Sequence, residues 1–369
     1  MSSGPPDLQG VTEGKSAYNK YATLQAAGGA LALPLLEKAA LDIDLSPEDA
    51  PIVIADYASS QGKNSLAPMR AAVATLRTRI GPNRPIIVFH TDQPANDFNT
   101  LFETLNTDPD RYDVHEPSVF ACAIGRSFYG NVLPPHYVHL GWSAYAAVWL
   151  SRIPMTVPDH FRAYRSAGAV RAVFDRQGAQ DWETFLSLRA GELRQQGRLV
   201  VVLPALDDDR SSGLDDLMDH ANAALAEMVG AHEITQDERA RMTLAAFYRR
   251  QRDLLAPFAQ DGQFRGLVVE QCTLSELPHP AWLAYERHGD KAVLATDLAL
   301  FFRSTFVPSL RTALAASRGA SEHEEFGDRL ESRLKRRLIQ DPTPARHLVS
   351  TLVVAKRGAD RSSRGNRRL

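Results

Sequence analysis

The sequence predicts an α/β protein with a mainly parallel β-sheet core and an α-helical cap. Three observations lead to this prediction: strand-like and helix-like segments alternate through the first half of the chain, a long helical and polar-faced stretch follows, and strand signals return towards the end. Alternation of this kind is typical of βαβ units, which build parallel sheets. The 369 residues, 44% of them hydrophobic, are enough to bury a large core.

The first part of the core rests on four segments. Two apolar runs of strand length, "APIVIADYA" and "RPIIVFHTD", are each followed by a segment with apolar residues at helical spacing. These helical segments read "SLAPMRAAVATLRTRI" and "NDFNTLFETL". Further strands are expected at "SVFACAIG", "YVHLGWSA" and "GRLVVVLPAL", with the long helix "DWETFLSLRAGELRQQ" before the last of them.

The second half of the chain supplies the cap. After Pro204 the pattern is helical as far as Gln260, and strands return at "FRGLVVEQCTL" and "HLVSTLVVAKR". The expected boundaries are residues 13–207, 263–285 and 321–357 for the core and residues 208–262 and 286–320 for the cap. Residues 1–12 and the basic segment 358–369 have little to bury, so we expect both to be disordered.

Charge and composition restrict the partners. The 42 Lys and Arg residues nearly cancel the 44 Asp and Glu residues, so no overall field attracts nucleic acid or an anionic membrane. No run of 18 apolar residues occurs, and "MSSGPPDLQG" does not resemble an export signal. We therefore expect a cytoplasmic protein with a small-molecule ligand. No His, Asp and Glu cluster has the spacing of metal ligands, so no metal is expected.

Two acidic residues stand where the first strands end. Ligands of an open parallel sheet bind beyond the carboxyl ends of its strands, where Asp56 and Asp92 are expected. A carboxylate at the end of the second strand, as Asp92 is, can accept hydrogen bonds from the ribose hydroxyls of an adenosine ligand. A helix cap or a turn is an equally good reading of Asp92 alone, and we expect Asn96 and Asp97 to cap the following helix.

The loop "DYASSQGKN" follows the first strand. Its small residues let the backbone approach a ligand closely, and Asn64 offers an amide to a carboxylate or an amine. The loop has neither the GxGxxG spacing of dinucleotide sites nor the pattern of a phosphate-binding P-loop. A nucleotide without a pyrophosphate fits better, and S-adenosylmethionine is the obvious candidate.

Four segments together resemble a known family. "IADYASSQGKN", "TDQPANDFN", "RSFYGNVLP" and "SAYAAVWLSRIP" are similar, in order and spacing, to motifs of the SABATH carboxyl methyltransferases, which include the salicylate and benzoate enzymes. The resemblance implies a Rossmann-like methyltransferase core with a helical cap, S-adenosyl-L-methionine as the cofactor with S-adenosyl-L-homocysteine as its product, and a small carboxylic acid as the substrate. It also implies a homodimer. The cofactor contacts that it implies are Tyr18, Asp56, Asn64, Asp92, Gln93, Ser127, Phe128 and Tyr145.

The same resemblance assigns the catalytic role to Gln25 and Trp149, which would orient the substrate carboxylate. A carboxylic acid with a pKa of about 4 to 5 is already ionised at neutral pH, so its methylation needs alignment rather than a general base. Neutral amide and indole donors orient the anion and leave it nucleophilic. The alternative for Trp149 is a core aromatic that shares one face of a helix with Tyr145.

Other residues are expected in the substrate pocket only through looser matches. An apolar and aromatic pocket of this kind suits an aryl or long alkyl acid. The expected lining residues, besides Gln25 and Trp149, are Trp142, Tyr145, Val148, Leu217, Met218 and Phe302.

Two other functions remain open. Methylation of nitrogen or of a phenol is possible on the same fold, and a phenol, with a pKa of about 10, would benefit from a base such as His90 or His139. His139 on a strand is, however, expected to be a hydrogen-bonded core residue. The second alternative is a catalytically silent cofactor-binding partner, which the altered "DYASSQGK" loop permits.

Overall fold

A computed structural model describes residues 23–45 and 50–357 of the chain. Its centre is an eight-stranded sheet with the spatial order β3-β2-β1-β4-β5-β8-β7-β6. The strands are β1 (Ile52–Tyr57), β2 (Ile86–Asp92), β3 (Val119–Gly125), β4 (Val138–Ala144), β5 (Leu193–Pro204), β6 (Gln263–Phe264), β7 (Leu267–Pro278) and β8 (Arg346–Lys356). The first five strands are parallel, whereas β8, β7 and β6 each pair antiparallel with their neighbours. The predicted fold class is confirmed.

Eleven α-helices surround the sheet in the described part of the chain. They are α1 (Thr23–Leu31), α2 (Leu33–Asp42), α3 (Lys63–Ile80), α4 (Phe98–Thr107), α5 (Gly168–Glu192), α6 (Asp215–Gly230), α7 (Gln236–Arg241), α8 (Gln251–Leu255), α9 (Pro280–His288), α10 (Lys291–Arg311) and α11 (Ala320–Gln340). Strand order reverses between β1 and β4, which opens a crevice at the carboxyl edge of the sheet.

Both faces of the sheet are covered by helices, as expected for parallel strands. Every residue of β1 is buried. Because successive strand residues point to opposite faces, Val53 packs in the cluster that contains Trp182 and Phe185 of α5, and Ile54 packs in the cluster that contains Leu36 of α2. This two-sided burial fixes the crevice on a rigid support.

The cap has an apolar cluster of its own. The buried residues of α6, α10 and α11 pack together with Leu24 of α1. The sequence-based boundaries assign 321–357 to the core, yet the buried side of α11 lies in this cap cluster. α10 is, within the described residues, the one helix long and apolar enough to cross a membrane, but most of it is buried in the same cluster, as in the core helix of a globular domain.

One alternative and one expectation drawn from the sequence were wrong. Tyr145 has φ 58° and ends β4 in a left-handed turn, and Trp149 forms an isolated β-bridge with Ala246, so these two residues do not share a helix. The helix expected to run to Gln196 ends at Glu192, because Leu193 already pairs with Val138 of β4.

Asn96 and Asp97 were both expected to cap α4, and only Asp97 does so. The Asp97 side chain accepts a hydrogen bond from the Thr100 N–H, as predicted. Asn96 instead donates its side-chain amide to the Ser60 carbonyl oxygen at 2.8 Å. Asn96 therefore ties the end of β2 to the loop after β1.

Candidate active site

Two cavities meet at the carboxyl edge of the sheet. The walls of the first, the edge cavity, include Gln93, Ser127, Phe128, Tyr129 and Trp149. The walls of the second, the cap cavity, include Gln25, Tyr145, Val148, Trp149, Tyr248 and His347. Trp149 belongs to both walls, so both cavities border its side chain.

Asp92, at the end of β2, is held by two backbone donors. Its carboxylate accepts hydrogen bonds from the Ser60 N–H and the Gln93 N–H, both at 2.7 Å. Burial raises the pKa of Asp92 to about 6, against the opposing effect of these two donors. The carboxylate is thus fixed in direction beside Gln93, a wall residue of the edge cavity.

Asp56, at the end of β1, is tied into a buried chain of hydrogen bonds. One of its oxygens lies 2.9 Å from Nδ1 of His90, and Nε2 of His90 lies 2.8 Å from the Tyr112 hydroxyl. His90 is fully buried, and both of its nitrogens are engaged. The structure therefore gives His90 a supporting role for Asp56 rather than a position as a free base.

The loop between β1 and α3 is a tight turn. Ala58, Ser60 and Gly62 have positive φ angles of 68°, 51° and 87°. At Gly62 an added Cβ would lie 2.6 Å from a Leu101 methyl carbon, so a side chain there is excluded. The Ala58 and Ser59 N–H groups both donate to the Thr91 carbonyl, which anchors the loop to β2.

Several neutral polar atoms at this edge have no hydrogen-bond partner in the described part of the chain. They are Ser59 Oγ, Asn64 Nδ2 and Thr91 Oγ1. Unpaired buried polar atoms are costly, so a site that keeps them is suited to a polar ligand. Two carboxylates, an amide and hydroxyls match the hydroxyl and amino groups of an adenosine ligand with an amino-acid tail.

Gln25 of α1 reaches the cap cavity with half of its amide unpaired. Its Nε2 lies 3.4 Å from Thr305 Oγ1, a long hydrogen bond, and its Oε1 has no partner among the residues that the structure describes. Gln25 is buried, with only 8% of the residue exposed. Gln25 can therefore turn its amide towards a ligand at little cost.

The structure brings together part of the predicted site. Gln25, Tyr145, Val148 and Trp149 line the cap cavity, and Gln93, Ser127 and Phe128 line the edge cavity with Trp149. Tyr145 stacks on His347 with ring centres 5.9 Å apart and does not line the edge cavity. Asp56 and Asp92 lie at the strand ends, and Asn64 lies in the first turn of α3. Tyr18 lies outside the described residues.

Four residues expected in the pocket are packed elsewhere. Trp142 of β4 belongs to the cluster under α2 and α3, because its strand position points it to that face of the sheet. Leu217, Met218 and Phe302 belong to the cap cluster. Phe302 packs against a wall residue, since its ring centre lies 5.2 Å from that of Phe306, which lines the cap cavity. Residue type and local sequence similarity do not distinguish a residue that lines a cavity from one that packs in the hydrophobic core.

His347 and Tyr248 line the cap cavity although the sequence patterns did not indicate them. β8 runs antiparallel to its neighbours, so its first residues lie at the edge where the parallel strands end. His347 is the second residue of β8. Burial, with Arg162 and His279 nearby, lowers the pKa of His347 to about 3, so its imidazole is neutral. The position of His347 at the start of the last strand segment was the available signal.

His139 has the structural role that was expected of it. Its Nδ1 accepts the Val53 N–H at 3.0 Å, and the side chain is buried in the sheet. Within 23–45 and 50–357, no group of three His, Cys, Asp or Glu side chains is arranged to hold a metal ion.

Comparisons with known proteins find related methyltransferases. Residues 9–355 match the family model of SAM-dependent carboxyl methyltransferases. A probable S-adenosylmethionine-dependent methyltransferase of Arabidopsis thaliana is 25% identical over 86% of this chain and 88% of its own length. A benzoic acid/salicylic acid carboxyl methyltransferase of Petunia hybrida is 29% identical over 52% of this chain and 57% of its own.

The fold is also that of a solved methyltransferase. A structure of loganic acid methyltransferase with S-adenosylhomocysteine (SAH) superimposes with a TM-score of 0.76 at 21% identity and covers 94% of this chain and 99% of its own. At this identity the likeness supports the fold, and the substrate must be argued from the cavity.

Proposed function

The chain belongs to the family of S-adenosylmethionine-dependent carboxyl methyltransferases, and from this premise we propose that it methyl-esterifies the carboxylate of a small, mostly apolar aryl or alkyl acid. The observation that supports this most strongly is the position of Trp149 in the walls of both cavities, with Gln25 in the cap cavity beside it. An indole N–H and an amide are suitable donors for one carboxylate.

The cofactor is S-adenosylmethionine, and the edge of the sheet has groups that fit it. When bound, it supplies an electrophilic methyl group and is released as S-adenosylhomocysteine. In this proposal Asp92 accepts hydrogen bonds from the ribose hydroxyls, and Asp56 with Asn64 serves the amino-acid part. Ser127 and Phe128 contact the adenine from the wall of the edge cavity.

Catalysis in this proposal is positioning. The acid is ionised at neutral pH, so Gln25 and Trp149 need only hold one carboxylate oxygen in line with the methyl group. The largely apolar wall of the cap cavity, with Val148 and Phe306, excludes water from the anion. Neither amide nor indole carries a charge, so neither reduces the nucleophilicity of the carboxylate as an ion pair would.

The cavity gives less support to phenol methylation. A phenol with a pKa of about 10 requires a base. His347 is the histidine on the cavity wall, and with a pKa of about 3 it is a weak base. A carboxylate substrate needs no such group. The apolar wall and the benzoic and salicylic acid activity named for the Petunia relative both favour an aryl or alkyl acid.

A product screen tests the proposal. The protein is incubated with methyl-labelled S-adenosylmethionine and a panel of aryl, indolyl and alkyl acids, phenols and purines. We expect a base-labile methyl ester from at least one acid. A product that survives base would identify an ether or an N-methyl compound and refute esterification. Cofactor binding without any product, over the whole panel, would favour a silent cofactor-binding partner.

Two further proposals concern the state of the protein. We propose a homodimer, as the family resemblance implies, and a cytoplasmic location, as the sequence suggests. Light scattering of the purified protein at micromolar concentration tests the first, and a mass of one chain would refute it. Cell fractionation tests the second.

A further inference from the structure

His347 is buried on the wall of the cap cavity and has no hydrogen-bond partner within residues 23–45 and 50–357. The residue is 2% exposed, and both of its ring nitrogens are unpaired in this part of the chain. It nevertheless lines the cavity. Unpaired buried polar atoms are costly, so a side chain that keeps two of them beside a cavity is suited to bind a polar group of a ligand.

The other buried histidines show how this fold normally treats such a ring. The Nδ1 atoms of His139, His160 and His279 each accept a hydrogen bond from a backbone N–H. His90 has partners at both nitrogens. In each of these rings at least one nitrogen is hydrogen-bonded, whereas His347 has no such bond among the residues described. Internal hydrogen bonding therefore does not explain a histidine at this position.

The hydroxyl groups on the wall of the cap cavity are already engaged. Their partners are Gln25 for Thr305, the Leu24 carbonyl oxygen for Tyr145, and Arg162 for Tyr248. Gln25 and Trp149 are assigned to the reacting carboxylate in the proposed function. His347 is therefore the polar wall residue that is left for a second group of the substrate.

Aromatic neighbours hold the His347 ring in one orientation. Tyr145 stacks on it with ring centres 5.9 Å apart, and Tyr248 meets it edge to face at 6.4 Å. The backbone is anchored as well, because the N–H groups of the two flanking residues donate to the carbonyl oxygens of Gly213 and Ser212. A ring fixed in this way can form a hydrogen bond of defined direction with a ligand.

The surroundings of His347 favour a neutral group over a second anion. Burial lowers the pKa of His347 to about 3, so its imidazole is uncharged. The described residues that line the cavity include no Lys, Arg, Asp or Glu. Each nitrogen of a neutral imidazole carries either a hydrogen or a lone pair, depending on the tautomer. A hydroxyl group can accept from the first or donate to the second, so it fits either tautomer.

We propose that the acid methylated in the cap cavity carries a hydroxyl group, separated from its carboxylate by an apolar spacer, and that His347 binds this hydroxyl and selects for it. The inference rests on the proposed esterification and narrows its substrate class to hydroxy acids. Val148 and Phe306 on the same wall are suited to contact the spacer. The hydroxyl keeps its proton and is not methylated, because neutral His347 is a weak base.

Matched acids that differ in one group test this inference. The kcat/KM for ester formation is measured for 4-(hydroxymethyl)benzoate against 4-ethylbenzoate, and for 8-hydroxyoctanoate against nonanoate. In each pair a methyl group replaces the hydroxyl. We expect the hydroxy acid of at least one pair to exceed its match about 5- to 50-fold, because the match leaves the His347 nitrogens unpaired. Equal or lower kcat/KM for the hydroxy acids of both pairs would overturn the inference.

Variants of His347 assign the preference to this ring. His347→Phe keeps an aromatic ring without nitrogens and should lower kcat/KM of the hydroxy acid far more than that of its match, which removes the preference. His347→Gln, which has a donor and an acceptor, should keep part of it. A preference that persists unchanged in His347→Phe would overturn the inference.

His279→Phe is the matched control for loss of a buried imidazole. The His279 ring lies 5.3 Å from that of the wall residue Phe301, but His279 is not among the described residues that line the cavity. The variant should lower thermal stability, since the Ala281 N–H loses its acceptor, and change both acids of a pair equally. A loss of preference as large as in His347→Phe would overturn the inference.

Calorimetric binding to the SAH-saturated protein separates this inference from the proposed function. Tighter binding of a hydroxy acid than of its match, lost in His347→Phe and without ester from any acid, would support the hydroxyl site and refute esterification. Ester formation at equal kcat/KM within both pairs would do the reverse. Neither tighter binding nor ester with these acids would count against both.

Discussion

The two cavities that border Trp149 differ in how their polar groups are satisfied. Beside the edge cavity, the carboxylates of Asp56 and Asp92 already have partners, which are His90 and two backbone N–H groups. On the wall of the cap cavity, both ring nitrogens of His347 and the Oε1 of Gln25 have no partner among the residues described. The difference indicates that the two carboxylates at the edge are held in place before a ligand arrives, whereas the polar groups of the cap cavity are left for a ligand.

The largest expected effect comes from the residue that both cavities share. Trp149→Ala should lower kcat/KM for the acid about 100-fold or more, because it removes a donor to an anion, worth about 1.5 to 3 kcal/mol, and leaves a void. SAH affinity, measured by calorimetry, should change far less. Trp149→Phe, which keeps a ring without the N–H, and Gln25→Ala should each cost about 10- to 100-fold. An equal loss of cofactor affinity in these variants would contradict the assignment.

On the cofactor side, Asp92→Ala should weaken SAH binding about 10- to 100-fold, since two ribose hydroxyls lose a charged acceptor. The acid KM at saturating cofactor should stay within a few-fold of the wild-type value. Asp97→Ala is a useful control, because it removes the cap of α4 and lowers stability by about 1 kcal/mol without touching the ribose site. Unchanged SAH affinity in Asp92→Ala would refute the ribose contact.

Two glycines in α1 test whether activity depends on the close packing of this helix, which carries Gln25, against Tyr145. At Gly28 an added Cβ would lie 2.0 Å from the Tyr145 hydroxyl, whereas at Gly29 the nearest atom, on Trp142, is 3.9 Å away. Gly28→Ala should therefore displace α1 or Tyr145 and lower kcat/KM about tenfold without changing SAH affinity. Gly29→Ala should be neutral or stabilise by about 0.5 to 1 kcal/mol. Equal kinetics for the two variants would show that this close approach is unimportant.

The smallest expected effect is a pH dependence of cofactor binding. Asp92 has a pKa raised to about 6, and the ribose hydroxyls donate to its ionised form. Affinity for SAH should therefore be constant above about pH 7 and fall as the pH drops through 6, by at most tenfold per pH unit. Asp92→Asn should bind weakly with no such inflection. An inflection that persists in Asp92→Asn would assign it to another group.

The sequence predicted the positions of the polar residues at the edge better than the walls of the cap cavity, for a physical reason. Asp56, Asp92 and Asp97 lie at the strand or helix ends where local pattern and chain order placed them. The left-handed turn at Tyr145 and the bridge between Trp149 and Ala246 are tertiary effects, and they overrode the helical pattern.

The wall of the cap cavity could not be predicted from local sequence patterns. Arg162, Tyr248 and His347 are far apart in the chain and meet only because β8 is antiparallel and the cap packs over it. Leu217 and Met218 have the right residue types for a pocket, but helix packing turns them into the cap cluster. Burial of both ring nitrogens without a partner among the described residues, which marks His347, becomes visible only in three dimensions.

The most direct measurement is a crystal structure of the protein with SAH and an acid that the product screen identifies as a substrate. The account predicts its carboxylate between the Gln25 amide and the Trp149 indole N–H. A carboxylate bound elsewhere, with Gln25 and Trp149 contacting only the hydrocarbon chain, would contradict the central claim that these two residues orient the acid for methyl transfer.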